Sequence, residues 1–183
     1  METLKLTAKD FKKSTSYWSD YIGIVDVSDY QWHIEIDSNL GYCKFERIKA
    51  SWKIIALAGS GIEAGSGIEA GEGIKAGWGI KAGEGIKAGM GIEAGWGIEA
   101  GLSITCRLSL SFSYKIFAGI CYWRDINESE KTITCGKKEW DGMVEYGILK
   151  EVWMPDEIIE VLNISGKEVT VTIDWKEYKA IIQ

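Results

Sequence analysis

From residue 62 the chain reads Ile62-Glu63-Ala64-Gly65-Ser66-Gly67, and the same six-residue frame returns at Ile68, Ile74, Ile80, Ile86, Ile92, Ile98 and Ile104. A fixed short period marks a repeat architecture and takes precedence over any local reading. In each unit the triplet Ile-charged-Ala alternates apolar, polar, apolar, which predicts a three-residue strand with Ile and Ala inward and Glu or Lys outward. Gly-x-Gly follows, and glycine's tolerance of positive φ is expected to supply the corner. A helix is excluded by the glycine density, since each glycine costs about 1 kcal/mol relative to alanine. The segment reads strand, corner, strand: a β-solenoid.

The outward charges set the number of units per coil, because stacked residues lie about 4.8 Å apart and like charges there repel. The series is Glu63, Glu69, Lys75, Lys81, Lys87, Glu93, Glu99. Three units per coil place Glu63 on Lys81, Glu69 on Lys87, Lys75 on Glu93 and Lys81 on Glu99, every pair opposite in sign. Two units would place Lys75 on Lys87 and Glu72 on Glu84. A three-sided coil of about 18 residues follows. It also stacks Trp96 on Trp78 on Ser60 at one corner, Met90 on Glu72 at another and Leu102 on Glu84 at the third.

The repeat fades at both ends, as capping units do. Ile48-Lys49-Ala50-Ser51-Trp52-Lys53 copies the frame, and a unit with two extra residues begins at Ile54. The division expected is an N-terminal β segment over 1–47, the solenoid over 48–110 and a C-terminal β-rich segment over 111–183. In the first, the alternation of Trp32 to Asp37, a turn through Asn39-Leu40-Gly41 and a second run from Tyr42 to Ile48 predict a hairpin. In the last, strands are expected over Phe112–Phe117, Lys131–Cys135, Val144–Leu149, Glu168–Trp175 and Lys179–Gln183, with a short helical turn over Glu157–Leu162. These segments are expected to include caps, because open solenoid ends present unpaired strand edges.

Of 22 glycines, 15 lie between Gly59 and Gly101, so the glycine content belongs to the repeat and not to a linker. Apolar residues at 46% and charged residues at 26% predict a folded, soluble protein. The net charge of −6 disfavours direct binding to nucleic acid or anionic membrane and favours a basic protein partner. No apolar run reaches membrane-spanning length and the start lacks the apolar core of a signal peptide, so a cytoplasmic location is expected. Cys43, Cys106, Cys121 and Cys135 share no metal-type spacing; buried, reduced thiols are expected, with a Cys121–Cys135 disulfide as the alternative.

Tryptophan and its neighbours at the corners are the candidate binding residues: Trp52, Trp78, Met90 and Trp96, flanked by Glu72 and Glu84. Either they cover glycine-rich corners, or they form an aromatic ridge for a partner, since tryptophan is enriched in interface hot spots. Trp52 would extend that ridge or cap the first coil. No catalytic or metal residues are assigned. His33 is the only histidine, the glycine pattern Gly-x-Gly-x-x-x-Gly misses the dinucleotide fingerprint, and the acidic groups Asp125, Glu128, Glu130 and Asp156, Glu157, Glu160 read as solvated loop charge. No cofactor is expected.

The coil length resembles that of hexapeptide-repeat acyltransferases, which implies a trimer with a histidine at each subunit boundary; the position of His33 departs from that pattern. Bactofilin-type filament solenoids are another resemblance and imply a scaffold. In general character the chain resembles small proteins of phages and mobile elements, in which Ile-x-Ala-Gly-x-Gly tracts are flanked by short β segments. That resemblance implies a non-catalytic monomer or homodimer, most concretely an anti-CRISPR inhibitor that occludes a host defence nuclease. A transferase and a structural scaffold are the alternatives.

Overall fold

A computed structural model of the chain describes residues 2–13, 18–20, 23–152, 168–173 and 176–181. The chain divides into two units, Met1–Trp153 and Met154–Gln183. The first is a three-sided parallel β-solenoid of about 7 coils. Its three faces are sheets of seven, eight and seven strands. Sheet A contains Glu2–Leu6, Trp32–Ile36, Ile54–Ala56, Ile74–Ala76, Ile92–Ala94, Ser109–Phe112 and Lys137–Lys138. Sheet B contains Lys12–Lys13, Trp18–Asp20, Gly41–Phe45, Ser60–Ala64, Ile80–Ala82, Ile98–Ala100, Lys115–Ala118 and Met143–Tyr146. Sheet C contains Ile24–Val27, Arg47–Ala50, Ile68–Ala70, Ile86–Ala88, Ile104–Cys106, Thr132–Cys135 and Ile148–Glu151. The chain visits A, B and C in turn.

Eighteen residues separate register partners in the regular coils, as in Ile68 on Ile86 and Ile74 on Ile92. All four expected charge pairs stack in register. The ladders run further than the repeat: Lys44 continues Glu63, Lys49 continues Glu69 and Lys5 pairs with Glu35. Ion pairs form at 2.8 Å between Lys75 and Glu93 and at 3.4 Å between Lys44 and Glu63. These pairs are solvent-facing, so each contributes well under about 1 kcal/mol. Lys75→Glu is expected to lower the urea midpoint slightly at low salt and hardly at all at high salt, and Lys75→Glu with Glu93→Lys to restore it. A loss that survives high salt would mean that Lys75 acts through packing instead.

Inside, Ile and Ala of each triplet form vertical rows, such as Ile62, Ile80, Ile98 and Ile116 on sheet B. These isoleucines are inaccessible to solvent, and each contributes about 1.5–3 kcal/mol by burial. Towards the ends larger side chains replace the alanines: Val27, Ile36 and Phe45 before the repeat, Phe112 after it. Phe11 packs edge-on against Phe45 at 5.8 Å, and the strand Lys12–Lys13 that follows it pairs antiparallel with Trp18–Asp20 and ends sheet B.

Three expectations need correction. Trp32–Ile36 and Gly41–Phe45 do not form a hairpin; they lie in different sheets, each pairing in parallel with strands a coil away. Asn39 and Gly41, both at positive φ, make a corner and not a reversal. The expected runs Phe112–Phe117 and Val144–Leu149 are likewise broken, the first at Ser113-Tyr114 into strands of sheets A and B, the second at Gly147, φ +116°, into strands of sheets B and C. Finally, among the described residues the glycines at positive φ are Gly23, Gly41, Gly59, Gly119 and Gly147, all outside the run from Ile62 to Ile104. The repeat glycines serve close approach: a Cβ on Gly71, Gly83, Gly89, Gly95 or Gly101 would overlap a carbonyl of the preceding coil. The two extra residues after Ile54 form a wider corner at Gly59, pinned by the buried Ser60 hydroxyl, which donates to Asp37 O at 2.6 Å and accepts from Leu40 N at 3.0 Å.

The second unit contains an antiparallel pair, Glu168–Ile173 with Lys176–Ile181. The helical turn expected over Glu157–Leu162 lies outside the described residues. Among those described, no helix is long and apolar enough to cross a membrane.

Candidate functional site: an aromatic face on sheet B

The corner between sheets A and B carries Trp78, Trp96 and Tyr114 in successive coils, tied by Trp96 N donating to Trp78 O at 3.3 Å and Tyr114 N to Trp96 O at 3.2 Å. The indoles of Trp78 and Trp96 stack face to face, with centroids 5.1 Å apart and planes 10° apart. That spacing is close to one coil rise, so the solenoid itself sets the stack. Tyr114 meets Trp96 edge-on at 6.5 Å, and Tyr42 meets Trp78 edge-on at 5.9 Å. Four rings thus touch in succession, Tyr42 from beside the corner; each pair adds about 0.5–1.5 kcal/mol beyond burial. Trp96 is 47% exposed and Tyr114 66%.

Tyr42 lies one position inside the corner, on the outer surface of sheet B, in register with Gly61. The row continues through Gly79 and Gly97 to Lys115, so three coils in succession lack a side chain there. The Tyr42 ring fills the first part of this trough. A Cβ on Gly61 would lie 2.9 Å from its ring carbons, and one on Gly79 would overlap its hydroxyl. Burial, then the Glu63 charge, raises the phenol pKa, and a hydrogen bond from the Gly79 backbone opposes them. Lys81 Nζ stands 5.5 Å from the ring centroid. Beyond the hydroxyl the trough is open, leaving a hollow of about 240 Å³ over Gly97, bordered by Trp96, Glu99, Tyr114, Lys115 and Phe117.

Along the adjacent outer row of sheet B the charges Lys44, Glu63, Lys81 and Glu99 give way to Phe117 and Tyr146. Here the loop 119–131 leaves the coil, anchored by Gly119 N donating to Ala100 O and Leu102 O. An Asn127–Glu130 capping box closes its 3-10 turn, and Arg124 pairs with Glu130, holding that carboxyl down to about 2. The loop presents Tyr122, 88% exposed, with Trp123 edge-on at 5.5 Å. The last three coils of sheet B and this loop therefore expose Trp96, Tyr114, Tyr122, Trp123, Met143 and Tyr146.

The candidate residues named from sequence fall on three different corners. Trp78 and Trp96 belong to the aromatic line. Trp52, Glu72 and Met90 stack at the corner between C and A, Glu72 N donating to Trp52 O and Met90 N to Glu72 O. Trp52 is half-buried, with the His33 ring edge-on at 5.6 Å, and does not extend the ridge. Glu72 pairs with Lys53 at 3.4 Å. Glu84 stands with Ser66 and Leu102 at the corner between B and C. Sequence reading missed Tyr42, Tyr114, Phe117, Tyr122 and Tyr146. The 18-residue period points from Trp96 to Tyr114, but Tyr42 is offset by one residue from the corner.

Among the described residues, no group of three His, Cys, Asp or Glu side chains could hold a metal ion. The four cysteines are free; burial pushes the thiols of Cys43 and Cys106 up to about 12 and that of Cys135 to about 11, so none of these three is an activated nucleophile. Of the acidic groups, Glu130 is committed to Arg124, and Asp156, Glu157 and Glu160 lie outside the described residues. In comparisons with known proteins, no family model, curated protein or solved structure matches the chain.

Proposed function

We propose that this chain is a non-catalytic binding protein that meets a protein partner through the aromatic end of sheet B. The carrying observation is the change of surface along that sheet, from a self-neutralised charge ladder to exposed aromatic rings in the last coils. Tyrosine and tryptophan dominate interface hot spots because they bury large area with few rotors to freeze. A rigid hydrogen-bonded coil holds them in place before any partner arrives, which lowers the cost of association.

Within that class the narrower proposal is an inhibitor, of anti-CRISPR type, that acts in the cytoplasm as a monomer or homodimer and occludes a host defence nuclease. The net charge of −6 supports it, since acidic surface complements a basic nucleic-acid channel. The test is an affinity pull-down from a bacterial lysate containing CRISPR effectors, with the wild type beside a Trp96→Ala/Tyr114→Ala variant. Recovery of an effector by the wild type, weakened at least about 30-fold in the variant, is expected, as loss of one hot spot of about 2 kcal/mol requires. An effector retained equally by both would overturn the aromatic face as the interface. No effector at all, with a trimeric or filamentous particle by light scattering, would overturn the inhibitor in favour of a transferase or a scaffold.

A further inference from the structure

We propose that the open length of the glycine trough over Gly97 is a receptor for one aromatic side chain, tyrosine by preference, presented by the protein partner. This rests on the reading of sheet B as the binding face. The protein supplies its own precedent one coil earlier. Tyr42 lies on Gly61 and Gly79 with Trp78 at its edge, a lysine over its ring and the Gly79 backbone at its hydroxyl. The 18-residue period repeats part of those surroundings by translation: Gly97 follows Gly79, and Trp96 with Tyr114 follows Trp78 with Trp96, whereas Glu99 takes the place of Lys81 and Lys115 that of the next glycine. Beside the open length stand Glu99 and Phe117, which offer the hydroxyl an acceptor and the ring an apolar flank.

Size and charge narrow the occupant. The hollow of about 240 Å³ is smaller than the roughly 300 Å³ at which pockets for drug-sized ligands begin, so it takes a ring and not a cofactor. Its cations are already matched, Lys81 with Glu99 at 3.7 Å and Lys115 with Glu145 at 2.8 Å, which favours a neutral aromatic over a phosphorylated one. A sugar would need an exposed indole face, whereas Trp78 and Trp96 turn faces on each other at 10°.

The experiment titrates the full chain with N-acetyl-tyrosinamide, N-acetyl-leucinamide and cellobiose, reading the indole N–H signals by two-dimensional NMR. The expected result is a saturable shift of the Trp96 signal with the tyrosine amide alone, at a dissociation constant on the order of 1 mM, as a ligand this small allows. Phe117→Ala and Tyr114→Ala should each weaken it at least about fivefold while the remaining signals keep their dispersion. No shift, or an equal shift with the leucine amide, overturns the receptor; a shift with cellobiose alone replaces it with a carbohydrate surface. The pull-down separates this failure from that of the binding face. Partner capture that depends on Trp96 without any tyrosine response leaves the face and removes the receptor, whereas capture indifferent to Trp96 removes both.

Discussion

Gly89→Ala is expected to destabilise the solenoid by about 3 kcal/mol or more, while Gly65→Ala, at the same place in the repeat motif, changes stability by less than about 0.5 kcal/mol. A Cβ on Gly89 would overlap the Gly71 carbonyl of the preceding coil, and that carbonyl cannot retreat, because it belongs to a backbone held in register on both sides. At Gly65 the coil below turns through Glu46 on a shorter path, and the nearest atom to an added Cβ is the Glu46 carbonyl oxygen at 3.7 Å, an ordinary contact. Neither glycine is at positive φ. If conformational freedom were the reason for glycine, the two substitutions would cost the same. Equilibrium urea unfolding followed by circular dichroism decides between the two: equal midpoints for both variants would refute close approach as the cause.

The same distinction explains what could be read from the sequence. Period, three-fold coil and charge register were legible because the regular units are identical in length, so a contact between Lys75 and Glu93 is a matter of counting. Beyond the repeat the inward pattern persists, as in Ile34 with Ile36, Cys43 with Phe45 and Ile133 with Cys135, but the corners vary in length. An alternating run looks alike whether it pairs antiparallel across a turn or in parallel a coil away. The turn residues Asn39 and Gly41 therefore pointed to a hairpin where the chain makes a corner. Trp52 shows the same effect on the site. With two extra residues between it and Glu72, it stacks at 20 residues instead of 18, on a corner apart from Trp78 and Trp96. The aromatic face joins Tyr42, Tyr114 and Tyr146, and assembling it from sequence requires the register of irregular coils.

Ile80→Ala carries the second large effect, a loss of about 3–5 kcal/mol, the upper part of the range for isoleucine truncation in a core. Ile80 is fully buried, stacked between Ile62 and Ile98 in the middle of sheet B. The cost depends on how far the surroundings collapse into the space left, and here they are constrained. Each coil is hydrogen-bonded to the coils above and below on all three faces, so neither Ile62 nor Ile98 can approach without breaking its own ladder. Ile80→Val, which removes one methylene, should cost only about 0.5–1.5 kcal/mol. Because each coil touches only its neighbours, a weakened central coil also interrupts the coupling between the N-terminal and C-terminal coils. The alanine variant is therefore expected to unfold with a lower urea slope as well as a lower midpoint, as the two halves part company. A loss below about 1 kcal/mol would show that the coils can slide to fill the gap. It would also weaken the case for a binding face preset by a rigid backbone, since the Trp78–Trp96 stack hangs on that same spacing.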